Sequence, residues 1–217
     1  MERRSALKNM GLAFGYAVAT PTLLGILQSC KDKPAYAEWV PSFLTQDQGY
    51  ALAQTLDVIL PKTDTPSATE MNVHVFIDSY LDEVMPEDQL EFVKLKMNKF
   101  FDKVLADSGK QSLTDVEGVD IEPVLKTYLA KRTPEMEQAH SEAITSYREA
   151  TMDGGQADID DDVASFSFAN DVRDLAIWAY KSSEFVGEEV LAYAPIPGEY
   201  IACEDVTTLT EGKAWSL

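Results

Sequence analysis

The sequence predicts an all-α fold, an irregular bundle of about five or six helices followed by an extended C-terminal tail that contains proline and glycine. Apolar residues recur at helical spacing in several segments, and capping residues and prolines mark the ends of those segments. No segment alternates apolar and polar residues long enough to indicate a sheet. The 217 residues, 45% of them hydrophobic, suffice for one domain with a buried core, and we place it at residues 43–217.

Residues 1–29 are predicted to be an export signal rather than part of the fold. Arg3 and Arg4 precede an uncharged, apolar stretch at residues 10–27, and this arrangement resembles a twin-arginine signal. An uncleaved membrane anchor is the alternative. Pro21 and the weak hydrophobicity of the stretch argue against a permanent span.

The apolar stretch ends at Cys30, in a context that resembles a lipoprotein processing site, although a lone cysteine there can also be incidental. We expect Cys30 to be lipidated and residues 30–42, which contain two prolines and no apolar periodicity, to form a tether. The predicted location is therefore the periplasm, with attachment to a membrane. After lipidation Cys203 is the remaining cysteine, and in an oxidising compartment it would pair with another chain or stay a free thiol.

The first predicted helix follows a capping box at residues 45–48 and stops before Pro61. Its apolar face comprises Leu52, Leu56, Ile59 and Leu60. The second helix has a broader apolar stripe, which we expect to face the core. That stripe comprises Val73, Phe76, Ile77, Tyr80 and Leu81.

The longest predicted helix follows Pro86 and stops at Gly109. Its apolar positions are Leu90, Val93, Met97, Phe100, Phe101, Val104 and Leu105. Another helix is expected to start at Thr133-Pro134, because proline suits the first helical position. The last one is predicted over residues 165–183, with its inward face formed by Phe168, Val172, Leu175, Ala176 and Ala179.

Two segments lack helical periodicity. Residues 153–162 carry five carboxylates and are interpreted as a solvated acidic loop, with a calcium site as the alternative, although the regular ligand order of an EF-hand is missing. In the tail, residues 185–217, the prolines at 195 and 197 prevent a helix, and exposed aromatic residues would have to lie on the bundle or on a partner.

Composition and motifs argue against several function classes. The net charge of −19 disfavours nucleic-acid binding, since phosphate neutralisation needs a basic face. His74 and His140 are the only histidines, and we interpret both as surface residues rather than metal ligands. The sequence has no G-x-G-x-x-G after a strand, no C-x-x-C and no nucleophile elbow, so we assign it no catalytic, cofactor-binding or metal-binding residue.

Two groups of motifs resemble the gluconate 2-dehydrogenase subunit 3 family. The first comprises Phe43-Leu44-Thr45, Leu56-Asp57-Val58-Ile59-Leu60-Pro61-Lys62-Thr63-Asp64-Thr65-Pro66-Ser67-Ala68, Asn72-Val73 and Phe76-Ile77-Asp78. The second comprises Tyr180-Lys181-Ser182-Ser183-Glu184, Gly187 and Leu191-Ala192-Tyr193-Ala194-Pro195-Ile196-Pro197-Gly198-Glu199-Tyr200-Ile201-Ala202-Cys203. The middle, residues 87–162, is not covered by the resemblance.

The resemblance implies a non-catalytic small subunit that stabilises and co-exports a large FAD-dependent dehydrogenase of the glucose-methanol-choline class, often with a cytochrome c as electron acceptor. FAD and the substrate pocket for a sugar, sugar acid or glycoside would then lie in the large subunit. A stand-alone lipid-anchored helical binding protein in the periplasm is the alternative, and a hydrolase with an unrecognised carboxylate site is a third possibility.

The partner interface is predicted on the C-terminal segment 193–203. Two prolines stiffen this segment, and tyrosines often anchor protein interfaces, so docking would cost little entropy. Packing of the segment over its own helices is the alternative. The residues assigned to the interface are Tyr193, Pro195, Pro197, Gly198, Tyr200 and Cys203.

Overall fold

The computed structural model describes residue 36 and residues 39–152, 154–196, 198–199 and 203–216. The predictions for Arg3, Arg4, Cys30, Pro197 and Tyr200 lie outside the described residues. The chain separates into residues 1–39 and residues 40–217, and the fold described below is that of the second unit. The predicted boundaries of signal, tether and domain stay predictions.

The described part of the chain is all-α, as predicted. Its α-helices are α1 (Gln46–Ile59), α2 (Val73–Glu83), α3 (Glu87–Ser108), α4 (Gly118–Leu129), α5 (Pro134–Met152), α6 (Asp161–Lys181) and α7 (Val206–Thr210). A 3-10 turn at Leu113–Asp115 and a π-helical turn at Val186–Val190 complete the helical structure there. The six longer helices, α1 to α6, agree with the predicted number, and among the described residues the one extended contact is an isolated bridge in the tail.

Local sequence sets several helix ends as predicted. The Thr45 hydroxyl accepts the Gln48 amide while the Gln48 side chain accepts the Thr45 amide, which is the predicted capping box. Gly109 ends α3 in the left-handed conformation with φ of 69°, which glycine adopts without steric cost. Helix α5 begins at Pro134 as expected.

The core lies between α3 and α6, which form the most extensive interhelical contact, with α1, α2 and α4 packed around them. Phe100 and Phe101 of α3 contact Phe168 of α6, with ring centroids 5.1 and 5.8 Å apart. Burial of these aromatic side chains contributes strongly to stability because each removes a large apolar surface from water. A smaller cluster around Phe92 and Val163 packs against α5.

Two helical regions depart from the predictions. Helix α4 was not predicted, although Ile121, Val124, Leu125 and Tyr128 are buried at helical spacing. Helix α6 begins at Asp161 rather than residue 165, because the Asp160 carboxylate accepts the amides of Asp162 and Val163 at 2.9 and 3.3 Å. Part of the predicted acidic loop is therefore the start of a helix.

The apolar stripe predicted for α2 includes two residues that do not face the core. Val73, Ile77 and Leu81 are buried as expected, but Phe76 is 40% exposed and Tyr80 is half-buried. The three aliphatic residues already cover the core-facing side of this short helix. Phe76 and Tyr80 therefore lie at the edge of the stripe, toward solvent.

Candidate interaction surface and its supporting residues

The Asp78 carboxylate holds the segment that enters the bundle. Asp78 is 2% exposed, and its oxygens accept the backbone amides of Ser42 at 2.6 Å, Phe43 at 3.2 Å and Leu44 at 2.9 Å. Three charge-assisted hydrogen bonds satisfy a carboxylate that would otherwise be costly to bury. This contact joins the first and last elements of the N-terminal motif group, Phe43-Leu44 and Ile77-Asp78.

A second carboxylate organises the loop between α1 and α2. Asp57 accepts the Thr69 amide at 2.9 Å and the Thr69 hydroxyl at 2.7 Å. Nearby, Glu70 pairs with Lys62 at 2.5 Å and accepts the Ser67 amide. The hydrogen bond from Lys62, followed by that from Ser67, lowers the pKa of Glu70. The Pro-x-Thr-x-Thr-Pro loop is thus held at both ends by acidic side chains.

The two motif groups meet at Tyr180. Its hydroxyl donates a hydrogen bond of 2.7 Å to the backbone carbonyl of Pro66, which lies 114 residues earlier in the chain. Gly187 of the second group is buried, and a Cβ there would lie 3.1 Å from the Ser216 hydroxyl. Asp57, Asp78 and Tyr180, which belong to the two motif groups, therefore connect loops to helices and have a structural role.

The C-terminal tail partly folds back on itself. The Ala192 amide donates to the Ala214 carbonyl at 2.8 Å, and the Ser216 amide donates to the Ala192 carbonyl at 2.9 Å. Of the residues assigned to the partner interface, Tyr193 is 50% exposed, and Pro195, Gly198 and Cys203 are also exposed. Cys203 is a free thiol. These residues are accessible, and their contact with a partner stays a prediction.

Sequence reasoning missed an aromatic face formed by Phe76, Tyr80 and Trp178. The Trp178 ring contacts Phe76 at 5.2 Å and Tyr80 at 5.9 Å between centroids, both edge to face. Phe76 and Tyr80 stack on one another at 6.3 Å along α2. Trp178 is 44% exposed although it belongs to α6, the central helix. The sequence does show that Phe76 and Tyr80 are four residues apart, which places them on the same side of a helix. Their contact with Trp178 is visible only in the tertiary structure.

Neither histidine is a surface residue, contrary to our expectation. His74 is 4% exposed, and burial lowers its pKa while the Asp57 carboxylate opposes the shift. The side chain of His140 is 12% exposed and contacts Phe166 edge to face at 4.8 Å. Burial and the Arg132 guanidinium, 2.9 Å from Nε2, both lower the pKa of His140.

No metal centre is formed by the residues that the structure describes, where no group of three or more His, Cys, Asp or Glu side chains is placed to hold an ion. The calcium alternative for residues 153–162 finds no support among the described members of that segment. Over the same described ranges, no helix combines the length and apolar character needed to cross a bilayer.

One lysine lies inside the bundle between α3 and α6. The Lys96 side chain is 3% exposed, its ammonium pairs with the Asp171 carboxylate, and it contacts the Ser167 hydroxyl at 3.3 Å. The ammonium also lies 4.6 Å from the centroid of the Phe92 ring. A buried ammonium needs such partners, so the contacts of Lys96 with Asp171 and Ser167 fix the position of α3 relative to α6.

These features define a small helical protein whose motif residues hold its loops in place and whose exposed aromatic residues lie on α2, on α6 and in the tail. Exposed aromatic residues that lie together commonly mark interaction sites in soluble proteins. The family model described as Gluconate 2-dehydrogenase subunit 3 matches residues 46–198, more than half of the 217 residues. The chain therefore belongs to the gluconate 2-dehydrogenase subunit 3 family, a family of small accessory subunits of a dehydrogenase complex. No curated protein and no solved structure matches the chain.

Proposed function

We infer that this chain is the non-catalytic small subunit of a periplasmic FAD-dependent dehydrogenase that oxidises a sugar, sugar acid or glycoside. The family match over residues 46–198 carries this inference. The structural roles of Asp57, Asp78 and Tyr180 support it, because the residues quoted for the family maintain the fold. The chain would stabilise the large subunit and take it across the membrane.

The division of chemistry between the subunits follows from this function. FAD and the substrate pocket belong to the large subunit, and a cytochrome c is the expected electron acceptor. The net charge of −19 would give the small subunit an electrostatic attraction to a basic partner, which mainly increases the association rate.

Export of the complex is proposed to depend on Arg3 and Arg4, and membrane attachment on Cys30. Replacing both arginines by lysine should retain this chain and the flavoprotein in the cytoplasm, because the flavoprotein travels on this signal. A flavoprotein that still reaches the periplasm would refute shared export. Cys30→Ser should separately release the domain from the membrane fraction, and labelled fatty acid on that variant would show that another residue is lipidated.

The exposed tail is proposed to contact the large subunit, with Cys203 at or near the interface and able to form an inter-chain disulfide. Deletion from Tyr193 onward is a poor test, since it also removes Ala214 and Ser216, which pair with Ala192. Tyr193→Ala, which keeps that pairing, should weaken the complex. A non-reducing gel should show one large species for the natural chain and separate subunits for Cys203→Ser.

A disruption of the gene tests the function as a whole. Cells that lack this chain should lose periplasmic flavin-dependent dehydrogenase activity on sugars, and the natural chain supplied on a plasmid should restore it. Unchanged activity and unchanged abundance of every periplasmic flavoprotein would contradict the proposed subunit function and favour a stand-alone binding protein.

A further inference from the structure

His140 and Arg132 form a largely buried contact where α5 meets the start of α6. One guanidinium nitrogen of Arg132, Nη1, lies 3.2 Å from Nδ1 and 2.9 Å from Nε2 of the His140 ring. The two side chains are 9% and 12% exposed. Phe166 of α6 contacts both, since its ring centroid lies 4.8 Å from that of His140 and 4.1 Å from the guanidinium carbon. The imidazole is thus shielded from water beside a permanent positive charge.

This contact requires a neutral imidazole. A neutral histidine ring has one nitrogen that accepts a hydrogen bond, whereas both nitrogens of the protonated ring are donors. Protonation of His140 would therefore leave the Arg132 guanidinium without an acceptor on the ring and would bring two positive charges into contact. Burial and then Arg132 lower the pKa of His140, while the carboxylates of Asp162 and Asp160 oppose the shift.

The nearby carboxylates compensate a second positive charge only in part. The Asp162 carboxylate lies 3.5 Å from Arg132 Nη1 and 3.9 Å from His140 Nε2, so one carboxylate would serve two cations. The Asp162 side chain is 58% exposed, and water screens its attraction. The Asp160 carboxylate already accepts two amides at the start of α6. Glu137 lies three residues before His140 on α5 and is exposed, so its attraction is also screened.

The other titratable groups near this contact do not offset the repulsion. On α3, Lys99 pairs with Asp161 at 2.7 Å, and Lys103 is itself attracted to Asp162. On α4, burial raises the pKa of Tyr128, which therefore stays uncharged. The loop before α5 adds a further positive charge at Lys131.

Helix α5 is weakly attached to the bundle. None of its 19 residues, all of which lie in the described ranges, is fully buried. It packs through two groups of side chains, the contact of His140 with Phe166 and a patch that includes Tyr147, whose ring stacks on Phe92 at 4.8 Å between centroids. Elements with few buried apolar contacts open locally at low free-energy cost. Loss of one of the two attachments should therefore release much of α5.

We propose that His140 and Arg132 form an acid-sensitive latch, in which protonation of His140 separates it from Arg132 and releases α5 from α6 while the central helices stay folded. Opening would uncover the small apolar cluster of Phe92, Ile159 and Val163. This inference does not depend on the function proposed above.

The direction and size of the pH effect follow from proton binding. In the open state the His140 ring is solvated and has its ordinary pKa of 6.5, whereas in the closed state its pKa is lower. Below pH 6.5 the open state therefore binds the proton more readily, and acid favours opening. Between pH 7.5 and pH 5.5 the equilibrium constant for opening should rise by up to about tenfold.

Amide hydrogen exchange of the full chain at pH 7.5 and pH 5.5, corrected for the intrinsic effect of pH on exchange, tests the latch. The α5 amides of the natural chain should lose protection by up to about tenfold. His140→Gln should abolish this loss. His74→Gln, the matched control at the other buried histidine, should retain it. Equal protection of α5 at both pH values in the natural chain, or an equal loss in His140→Gln, would overturn the proposal.

A pH series on the natural chain tests the latch without any substitution. Protection of α5 should begin to fall below about pH 6.5 and level off once His140 of the folded chain is protonated, as followed by nuclear magnetic resonance of its ring protons. A loss that begins only below about pH 5, where carboxylates titrate, would refute the assignment to His140.

Urea distinguishes local opening from unfolding of the whole bundle. At urea concentrations below the unfolding transition, exchange of the α5 amides should hardly depend on urea, because local opening exposes little surface. Exchange of the most protected amides of α3 and α6 should accelerate with urea. Equally steep urea dependence in α5 and α3 would show that α5 opens only with the whole fold and would refute the latch.

Discussion

The hydroxyl of Tyr180 and the carbonyl of Pro66 lie 2.7 Å apart and connect the end of the central helix α6 to the loop between α1 and α2. This hydrogen bond joins the two groups of motifs on which the resemblance to the family was based. The loop itself is held by Asp57 and Glu70.

Loss of the Tyr180 hydroxyl should destabilise this connection. Tyr180→Phe leaves the ring in place and removes the donor, so we expect the free energy of unfolding to fall by about 1 kcal/mol. Urea denaturation followed by circular dichroism measures the change. Tyr193→Phe, at a half-exposed position of the tail, is the control and should leave the midpoint unchanged.

Removal of the Asp78 carboxylate should lower the free energy of unfolding more than loss of the Tyr180 hydroxyl does. Asp78→Ala leaves the backbone amides of residues 42–44 without their acceptor, and we expect a loss of about 2–4 kcal/mol. Hydrogen exchange should show faster exchange of these three amides. Asp82→Ala, on the exposed side of the same helix, should change stability little, and an equal loss in both variants would contradict the assigned role.

The Lys96–Asp171 ion pair predicts which of two variants loses more stability. Asp171→Asn keeps the side-chain shape but leaves the buried ammonium of Lys96 without its counter-charge, which should cost about 1–3 kcal/mol. Lys96→Met removes the charge and retains an apolar stem, so it should be less destabilising than Asp171→Asn. Denaturation curves of the two variants test this order, and the reverse order would show that the ammonium is well solvated.

The two histidines should make stability depend on pH in the mildly acidic range. Burial holds the pKa of His74 and of His140 below the ordinary value of 6.5. As pH falls from about 7.5 to about 5.5, the unfolded chain therefore binds protons before the folded chain does, and the free energy of unfolding decreases. Carboxylates with lowered pKa values act at lower pH and do not contribute in this window.

Nuclear magnetic resonance titration of the histidine ring protons measures this effect directly, and each midpoint should lie below 6.5. His74→Gln and His140→Gln should each reduce the loss of stability between the two pH values. A midpoint at or above 6.5 for either histidine would contradict its buried, neutral state.

Local signals predicted much of the fold. The Thr45 capping box, Gly109 and Pro134 each act through neighbours a few residues away, so their effects can be inferred from short segments. Helix α4 was missed although its periodicity was present, since Gly118 opens it and Pro123 lies within it, and both residues usually indicate a break. The early start of α6 depends on Asp160, whose capping role was hidden among five carboxylates.

The candidate surface could be predicted only in part. The exposed tail follows from Pro195 and Gly198, which are local determinants. The aromatic face requires Trp178 to meet Phe76 about a hundred positions away, and no spacing in the sequence reveals such a contact. The burial of His74 and His140 likewise depends on tertiary packing, which hydropathy at single positions does not give.

Isolation of this chain with its partners from native membranes tests the central claim most directly. A tag at the C-terminus, gentle solubilisation and an absorbance spectrum of the purified material give both composition and cofactor. The subunit function predicts an equimolar large chain and the absorbance of an oxidised flavin that bleaches on addition of a sugar substrate. Recovery of the folded chain alone, or with partners that carry no flavin, would contradict it.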